Sequence, residues 1–255
     1  MNVYIGLIIC FLPFILLFTG CALFAKSKVL YLAIASLLGL IAVLPVSFIQ
    51  FWMEDVFSGF INGNGLIKMF LKALIINGLL EEGLRLIFMA FIPAKKNSLK
   101  QFFLLSLISG MCLGCFESMV YLLQNLQSNQ MMGGQFLWSL IFARIFTADL
   151  LHMFCAGLCG LFIWSCKNKK IDFGALVFAV LIHGIFDFFS YFNNGMYWFC
   201  IVALLLCIIE CRVHYTKQDP LLKSASINAK EDLAEEVVDQ TLDGVHLEGR
   251  ELKKD

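Results

Sequence analysis

The chain has 255 residues, of which 60% are hydrophobic and 26 are Phe, and its formal net charge is zero. That apolar share exceeds the roughly 45–50% of ordinary soluble domains, and the balanced charge gives no basis for nucleic-acid binding. Long apolar stretches recur up to about residue 212, and they lack the short alternating segments of a β-barrel. The composition therefore predicts an all-α, polytopic membrane protein.

Apolar segments separated by polar loops predict a bundle of about seven transmembrane helices. In chain order these helices cover about residues 3–25, 29–51, 66–91, 101–124, 135–166, 173–192 and 196–210. Glu54 and Asp55 are expected in the loop after the second helix. We expect one transmembrane domain over residues 1–215. Residues 216–255 then form a polar, acidic tail that is either disordered or a short helix.

The basic residues predict the orientation of the helices. They fall in every second loop, at Lys26 and Lys28, within 95–100, within 167–170, and at Arg212 and Lys217. Positively charged loops remain in the cytoplasm. The amino terminus is therefore expected outside the membrane and the carboxyl terminus in the cytoplasm.

The third predicted helix carries Glu81, Glu82 and Arg85 near its middle. An ionised side chain in hydrocarbon costs at least a few kcal/mol, so such residues are usually paired or functional. Glu81 and Arg85 are four residues apart and share a helix face. Glu82 lies about 100° further round the helix, and we expect it to point to a neighbouring helix, away from Arg85.

The fourth predicted helix has a stripe of small and polar residues. The stripe consists of Gly110, Gly114, Glu117, Tyr121 and Gln124. Small residues permit close helix approach, so this stripe is predicted to face the bundle.

The fifth and sixth predicted helices also carry ionisable groups. Asp149 and His152 are neighbours on the fifth helix, Arg144 lies two turns before His152, and neutralisation of Asp149 by Arg144 is the simplest role for that pair. On the sixth helix, His183 and Asp187 share one face, where a carboxylate can orient an imidazole.

The remaining cysteines and histidines have simpler interpretations. Nearly all ten Cys lie in apolar segments, where free Cys behaves as a small buried hydrophobic residue. The closest pairs are Cys112 with Cys115 and Cys155 with Cys159. His214 and His246 lie beyond the predicted helices and are expected to be surface histidines.

Each polar group alone fits a structural hydrogen bond or ion pair. Together, three Glu, two His, two Asp and two Arg on four successive helices are more than stability requires, so a single polar site in helices 3–6 is the better explanation. Glu and His are common general acids and bases. The group suits peptide hydrolysis, which needs an activated water, a proton shuttle and oxyanion stabilisation.

Two versions of that chemistry fit the residues. In the first, Glu117, His152 and His183 hold Zn²⁺, and Glu81 or Glu82 acts as the base. The absence of His-Glu-x-x-His weakens this version.

The second version needs no metal. Glu81 and His152 activate the water, and His183 and Asp187 bind the oxyanion. The residues leave both versions open, and they leave open whether Glu81 or Glu82 is the base.

The polar residues form an ordered set of motifs, namely Glu81-Glu82-x-x-Arg85, Gly114-Cys115-Phe116-Glu117-x-x-x-Tyr121, His152, and His183-x-x-x-Asp187. Over about residues 77–190 this set resembles the PrsW family of intramembrane proteases. That family is related to membrane proteases that process CAAX-prenylated proteins and bacteriocins. Those relatives carry Glu-Glu-x-x-x-Arg and Phe-x-x-x-His. Here the Arg comes one residue early and Phe-x-x-x-His is not evident, which favours the PrsW branch.

The resemblance implies a membrane-embedded peptidase of a bacterial plasma membrane. Its substrate would be a single-span membrane protein, and for PrsW itself that is an anti-sigma factor cut in a stress response. The resemblance implies catalytic roles for Glu81, Glu82, His152 and His183, and a metallopeptidase classification in which Zn²⁺ is the candidate ion. The supporting residues are Arg85, Glu117, Tyr121, Arg144, Asp149 and Asp187.

Two other functions also fit buried Glu, His and Asp. One is a proton- or cation-coupled transporter, although paired broken helices and an inverted repeat are not evident. The other is a membrane scaffold without catalytic activity. Convergence of the Glu and His side chains within reach of one water would favour the protease.

Overall fold

A computed structural model describes residues 3–60, 65–94, 97–132, 135–169, 171–192 and 195–219. The helices are α1 Val3–Leu23, α2 Val29–Phe60, α3 Gly65–Lys72, α4 Leu80–Met89, α5 Leu99–Met132, α6 Gln135–Phe146, α7 Ala148–Lys167, α8 Phe173–Ser190 and α9 Trp198–Gln218. A π-helical segment, Ala73–Leu79, joins α3 to α4, and a 3₁₀ turn, Gly195–Tyr197, precedes α9. These described ranges contain no strand, which confirms the all-α prediction.

The chain divides into two units, residues 1–214 and residues 215–255. Helices α1 to α8 and most of α9 belong to the first unit. The second is described only over 215–219, as the last turn of α9 and one residue beyond it. The first residues of the predicted tail, 216–218, are therefore helical, and the rest of it beyond residue 219, including His246, lies outside the described residues.

Within the described residues, six helical stretches are long and apolar enough to cross a membrane, which confirms a polytopic membrane protein. They are Tyr4–Leu23, Val29–Met53, Leu99–Leu126, Leu137–Lys167, Phe173–Ser190 and Gly195–Gln218. The predicted third helix is helical from Gly65 to Met89 but is not among the six. The π segment divides it, and five charged residues reduce its hydropathy, namely Lys68, Lys72, Glu81, Glu82 and Arg85.

Several predicted helix ends are wrong. Helices α2 and α5 extend to Phe60 and Met132, so the predicted loop containing Glu54 and Asp55 is helical. The predicted ends follow the loss of hydropathy, whereas backbone hydrogen bonding continues into polar residues beyond it.

The predicted fifth helix is two helices that meet at Thr147. Thr147 has φ −127° and ψ −72°, and its hydroxyl donates to the carbonyl of Ala143 at 2.6 Å. A Thr hydroxyl that bonds back to the preceding turn can bend or interrupt a helix. This break lies between Arg144 at the end of α6 and Asp149 at the start of α7, so it sets where both side chains project.

Helices α5 and α7 form the central pair of the bundle. Their close approach depends on Gly110, where an added Cβ would lie 2.3 Å from the carbonyl oxygen of His152. An added Cβ at Gly114 would lie 2.9 Å from the Cα of Asp149. The small residues of the predicted stripe therefore bring α5 against the part of α7 that carries His152.

A second close approach joins the π segment to α8. An added Cβ at Gly78 would lie 2.6 Å from the carbonyl oxygen of Val180, and one at Gly184 would lie 2.7 Å from the Cα of Leu74. This contact holds the start of α4, which carries the two glutamates, against the helix that carries His183.

Candidate active site

Arg85 is a buried residue that contacts both adjacent glutamates and His152. It is 1% exposed; its Nη2 donates to Glu81 Oε1 at 2.6 Å and its Nη1 donates to Glu82 Oε1 at 2.5 Å. The expectation that Glu82 points away from Arg85 is therefore wrong. Residues three apart on a helix are neighbours just as residues four apart are, and Arg85 reaches both carboxylates.

His152 of α7 links this group to α5. Its Nδ1 lies 3.0 Å from Arg85 Nη2 and its Nε2 lies 3.0 Å from Glu117 Oε2. A guanidinium has no acceptor, so in the hydrogen bond from Arg85 the imidazole Nδ1 accepts. In that neutral tautomer, Nε2–H donates to Glu117. His152 Nδ1 also lies 3.2 Å from Glu81 Oε1.

His183 of α8 is held by the other glutamate. Its Nδ1 lies 2.6 Å from Glu82 Oε1, which makes Nδ1–H the donor to the carboxylate. Its Nε2 then carries the lone pair, and it lies 3.7 Å from Asp187 Oδ2 and 3.9 Å from Glu81 Oε2. The rings of His152 and His183 meet edge to face with centroids 5.0 Å apart.

A cavity of about 480 Å³ opens onto this group, and only one of the two adjacent glutamates lines it. Glu81 lines the cavity, together with Glu117 and both histidines. Glu82 does not line it and is 0% exposed. Of the two adjacent carboxylates, Glu81 is therefore the one that a water or substrate in the cavity can reach.

The ligand atoms of Glu81, His152 and His183 all lie within 4.8 Å of one another. Two imidazoles and one carboxylate are a donor set that zinc accepts at catalytic sites. A second set, Glu82 with Cys155 and His183, is equally close but contains no carboxylate that lines the cavity. The sequence suggested Glu117 as the third ligand beside the two histidines. In the structure the carboxylate of that group belongs to Glu81, and Glu117 instead contacts His152 Nε2.

The remaining predicted residues surround Glu117. Arg144 Nη2 lies 3.2 Å from Glu117 Oε2, and the Arg144 guanidinium lies over the Tyr121 ring, 3.9 Å from its centroid. Asp149 accepts a hydrogen bond from Ser118, a serine that also contacts Arg144. Arg144 and Asp149 are thus linked through Ser118, and the ion pair of Arg144 is with Glu117.

Three further contacts were not anticipated from the sequence. Asn77 hydrogen-bonds Asp187 through its side chain, Cys159 donates to Glu82 Oε2 at 3.4 Å, and Ser118 bridges Arg144 and Asp149. Asn77 stands four residues before Glu81, and that spacing is the signal that could have identified it. Ser118 and Cys159 are small residues in apolar helices, and the sequence alone does not indicate their hydrogen-bond partners on other helices.

The prediction for His214 is wrong, because this residue is buried. It is 1% exposed, and its Nδ1 lies 2.6 Å from Asp172 Oδ2 and its Nε2 3.5 Å from Glu210 Oε2. Helix α9 continues to Gln218, beyond the predicted end at Glu210, and this extra helix turns His214 against the start of α8. The contact lies outside the group around Arg85.

A sequence model of the PrsW family of intramembrane metalloproteases matches residues 27–209. The matched range runs from before α2 into α9 and includes every residue of the cavity group described above. No match to this chain is found among curated proteins or among solved structures.

Proposed function

Because the chain belongs to the PrsW family of intramembrane metalloproteases, we propose that it cleaves a single-span membrane protein at the centre formed by Glu81, His152 and His183. The observation that carries the proposal is the convergence of these three side chains, from α4, α7 and α8, within 4.8 Å at a cavity between helices. An intramembrane protease needs water at membrane depth, and a polar cavity of this size can hold it.

The residues present fit the metal that the family name implies. Glu81, His152 and His183 would hold the ion, which we propose is Zn²⁺. The lone pair of His152 is on Nδ1, so an ion held there would replace the hydrogen bond from Arg85 Nη2, while Nε2–H keeps its bond to Glu117. When bound, zinc polarises the scissile carbonyl and makes water a nucleophile near neutral pH. Glu82 supports this arrangement, because its hydrogen bond to His183 Nδ1 orients the ring and leaves Nε2 as the nitrogen with a lone pair.

Glu117 is the proposed general base. It lines the cavity, its side chain is 24% exposed, and its Oε2 accepts a hydrogen bond from His152 Nε2. It would take a proton from the attacking water and return it to the leaving amine, as carboxylates do in other hydrolases. Arg144 holds the carboxylate in this position through its ion pair.

The positions of the basic residues support an orientation of this chain in the membrane. We propose that the lysine-rich loops lie in the cytoplasm, which puts the amino terminus outside and the carboxyl terminus inside. The family resemblance suggests that the membrane is a bacterial plasma membrane. A single-span protein entering the cavity from the lipid is the substrate class, and an anti-sigma factor is the member that the family resemblance suggests.

Cleavage by purified protein in proteoliposomes tests the proposal. A single-span substrate with distinct tags at its two ends should be cut by the wild type and left intact by Glu81→Gln and His183→Ala, because each change removes a carboxylate or imidazole of the convergent set. Glu210→Gln is the matched control, since Glu210 pairs with His214 away from the cavity. Cleavage that survives both site changes, or that Glu210→Gln removes equally, contradicts the proposal.

A further inference from the structure

A chain of hydrogen bonds runs from buried Asp149 to the catalytic cavity. Ser118 Oγ donates to Asp149 Oδ1 at 2.6 Å, and Arg144 Nε donates to Ser118 Oγ at 2.9 Å. Arg144 Nη2 then reaches Glu117 Oε2, and the same oxygen accepts from His152 Nε2. This chain joins three helices. Glu117 and Ser118 belong to α5 and Arg144 to α6, while Asp149 and His152 belong to α7.

The hydroxyl of Ser118 has a defined direction in this chain. It has one O–H, which goes to Asp149, so a lone pair is left for Arg144 Nε. Ser118 is 2% exposed and Asp149 is 0% exposed, and water therefore does not compete for either bond. Burial in a medium of low dielectric strengthens such bonds.

Arg144 is held on three sides as a result. Its Nε is bonded to Ser118, its guanidinium lies over the Tyr121 ring, and its Nη2 is bonded to Glu117. A guanidinium presents its donors in a rigid planar fork, so fixing Nε also fixes the direction of Nη2. The position of Glu117 therefore depends on a serine that does not line the cavity.

We infer that Ser118 is a positioning residue for peptide hydrolysis: with Asp149 it fixes Arg144, and through Arg144 it holds Glu117 against His152. This inference rests on the proposed role of Glu117 and His152 in catalysis. Ser118 follows Glu117 in sequence, and both side chains contact Arg144 of α6, so Arg144 connects the serine to the carboxylate.

The test compares Ser118→Ala with Ser118→Thr in the cleavage assay. Loss of one hydrogen bond to a charged group is expected to lower kcat/KM roughly tenfold. Ser118→Thr keeps the hydroxyl and should restore most of the activity. Ser106→Ala is the matched control, because Ser106 is a buried serine of the same helix whose hydroxyl donates to the Phe102 carbonyl.

Two further readouts separate positioning from simple packing. The pH profile of kcat/KM should move by about half a unit or more in Ser118→Ala and stay in place in Ser106→Ala. In an Arg144→Met background, Ser118→Ala should change kcat/KM by less than about twofold, because both changes interrupt one chain.

The inference is overturned if Ser118→Ala costs no more activity than Ser106→Ala, if Ser118→Thr is as impaired as Ser118→Ala, or if the losses from Ser118→Ala and Arg144→Met multiply. Glu81→Gln is measured in parallel. Activity in Glu81→Gln would refute the proposed function itself, whereas an inactive Glu81→Gln beside a fully active Ser118→Ala refutes only the role of Ser118.

Discussion

At the scale of single residues, the adjacent glutamates have different environments although both bind Arg85. Glu81 lines the cavity and stands beside both histidines, whereas Glu82 is enclosed by Arg85, His183 and Cys159. The two carboxylates and the Nδ1 and carbonyl oxygen of His152 accept from Nη1 and Nη2 of one buried guanidinium, whose Nε has no hydrogen-bond partner among the described residues. Removing one partner of such a buried group costs about 3–5 kcal/mol, because the remaining charges lose their compensation.

Glu82→Gln should therefore impair the enzyme without abolishing its activity. The amide keeps an acceptor for His183 Nδ1 but removes the charge, and changes in groups that orient a ligand typically cost about 10–100-fold. Cleavage rates in proteoliposomes measure the effect, with Glu81→Gln as the comparison. Equal inactivity of the two variants would show that Glu82 does more than orient His183.

At the scale of helices, the sequence predicts which elements carry the polar groups but not their exact junctions. The four-helix set was visible because charged residues are rare in apolar segments. The break at Thr147 and the π segment were not visible, because both arise from local backbone hydrogen bonding that hydropathy does not report. The partners of Ser118 and Cys159 also depend on helix rotation, which spacing along one helix cannot supply.

Gly110 is the residue on which the α5–α7 contact depends most clearly. A Cβ there would lie 2.5 Å from the Cβ of Ala156 and closer still to the His152 carbonyl oxygen. Gly110→Ala should push α7 away, lower stability by about 1–3 kcal/mol and reduce cleavage more than tenfold by displacing His152.

Gly20→Ala is the matched control for this prediction. Gly20 is a helical glycine with nothing within 4 Å of an added Cβ, so alanine there should be neutral or stabilising by up to about 1 kcal/mol. Thermal unfolding in detergent and the cleavage assay report the two effects. Identical behaviour of the two variants would mean that α5 and α7 do not approach each other as closely as described.

At the scale of the whole molecule, composition was sufficient to predict an all-α membrane protein, and the structure agrees. The ionisable groups at the polar cavity come from several helices that are apart in sequence, so no single segment reveals the site. The orientation in the membrane depends on the lysine-rich loops, and it remains a prediction.

Topology mapping tests that orientation. Reporters that are active only in the cytoplasm, fused after residue 94 or 169 or at the carboxyl terminus, should be active, since lysines lie at each of these points. The same reporters fused at the amino terminus should be inactive. The reverse pattern would place the lysine-rich loops outside and contradict the orientation.

The central claim is that Glu81, His152 and His183 form one hydrolytic centre, and metal content measured beside cleavage on the same purified preparations tests it most directly. The wild type should bind about one zinc ion per chain and cut the substrate, and Glu81→Ala, His152→Ala and His183→Ala should each lose both properties. Glu117→Gln should keep the zinc and lose cleavage, because it removes the base and leaves the ligands. Zinc content unchanged by all three ligand changes, or cleavage that persists without those side chains, would contradict the account.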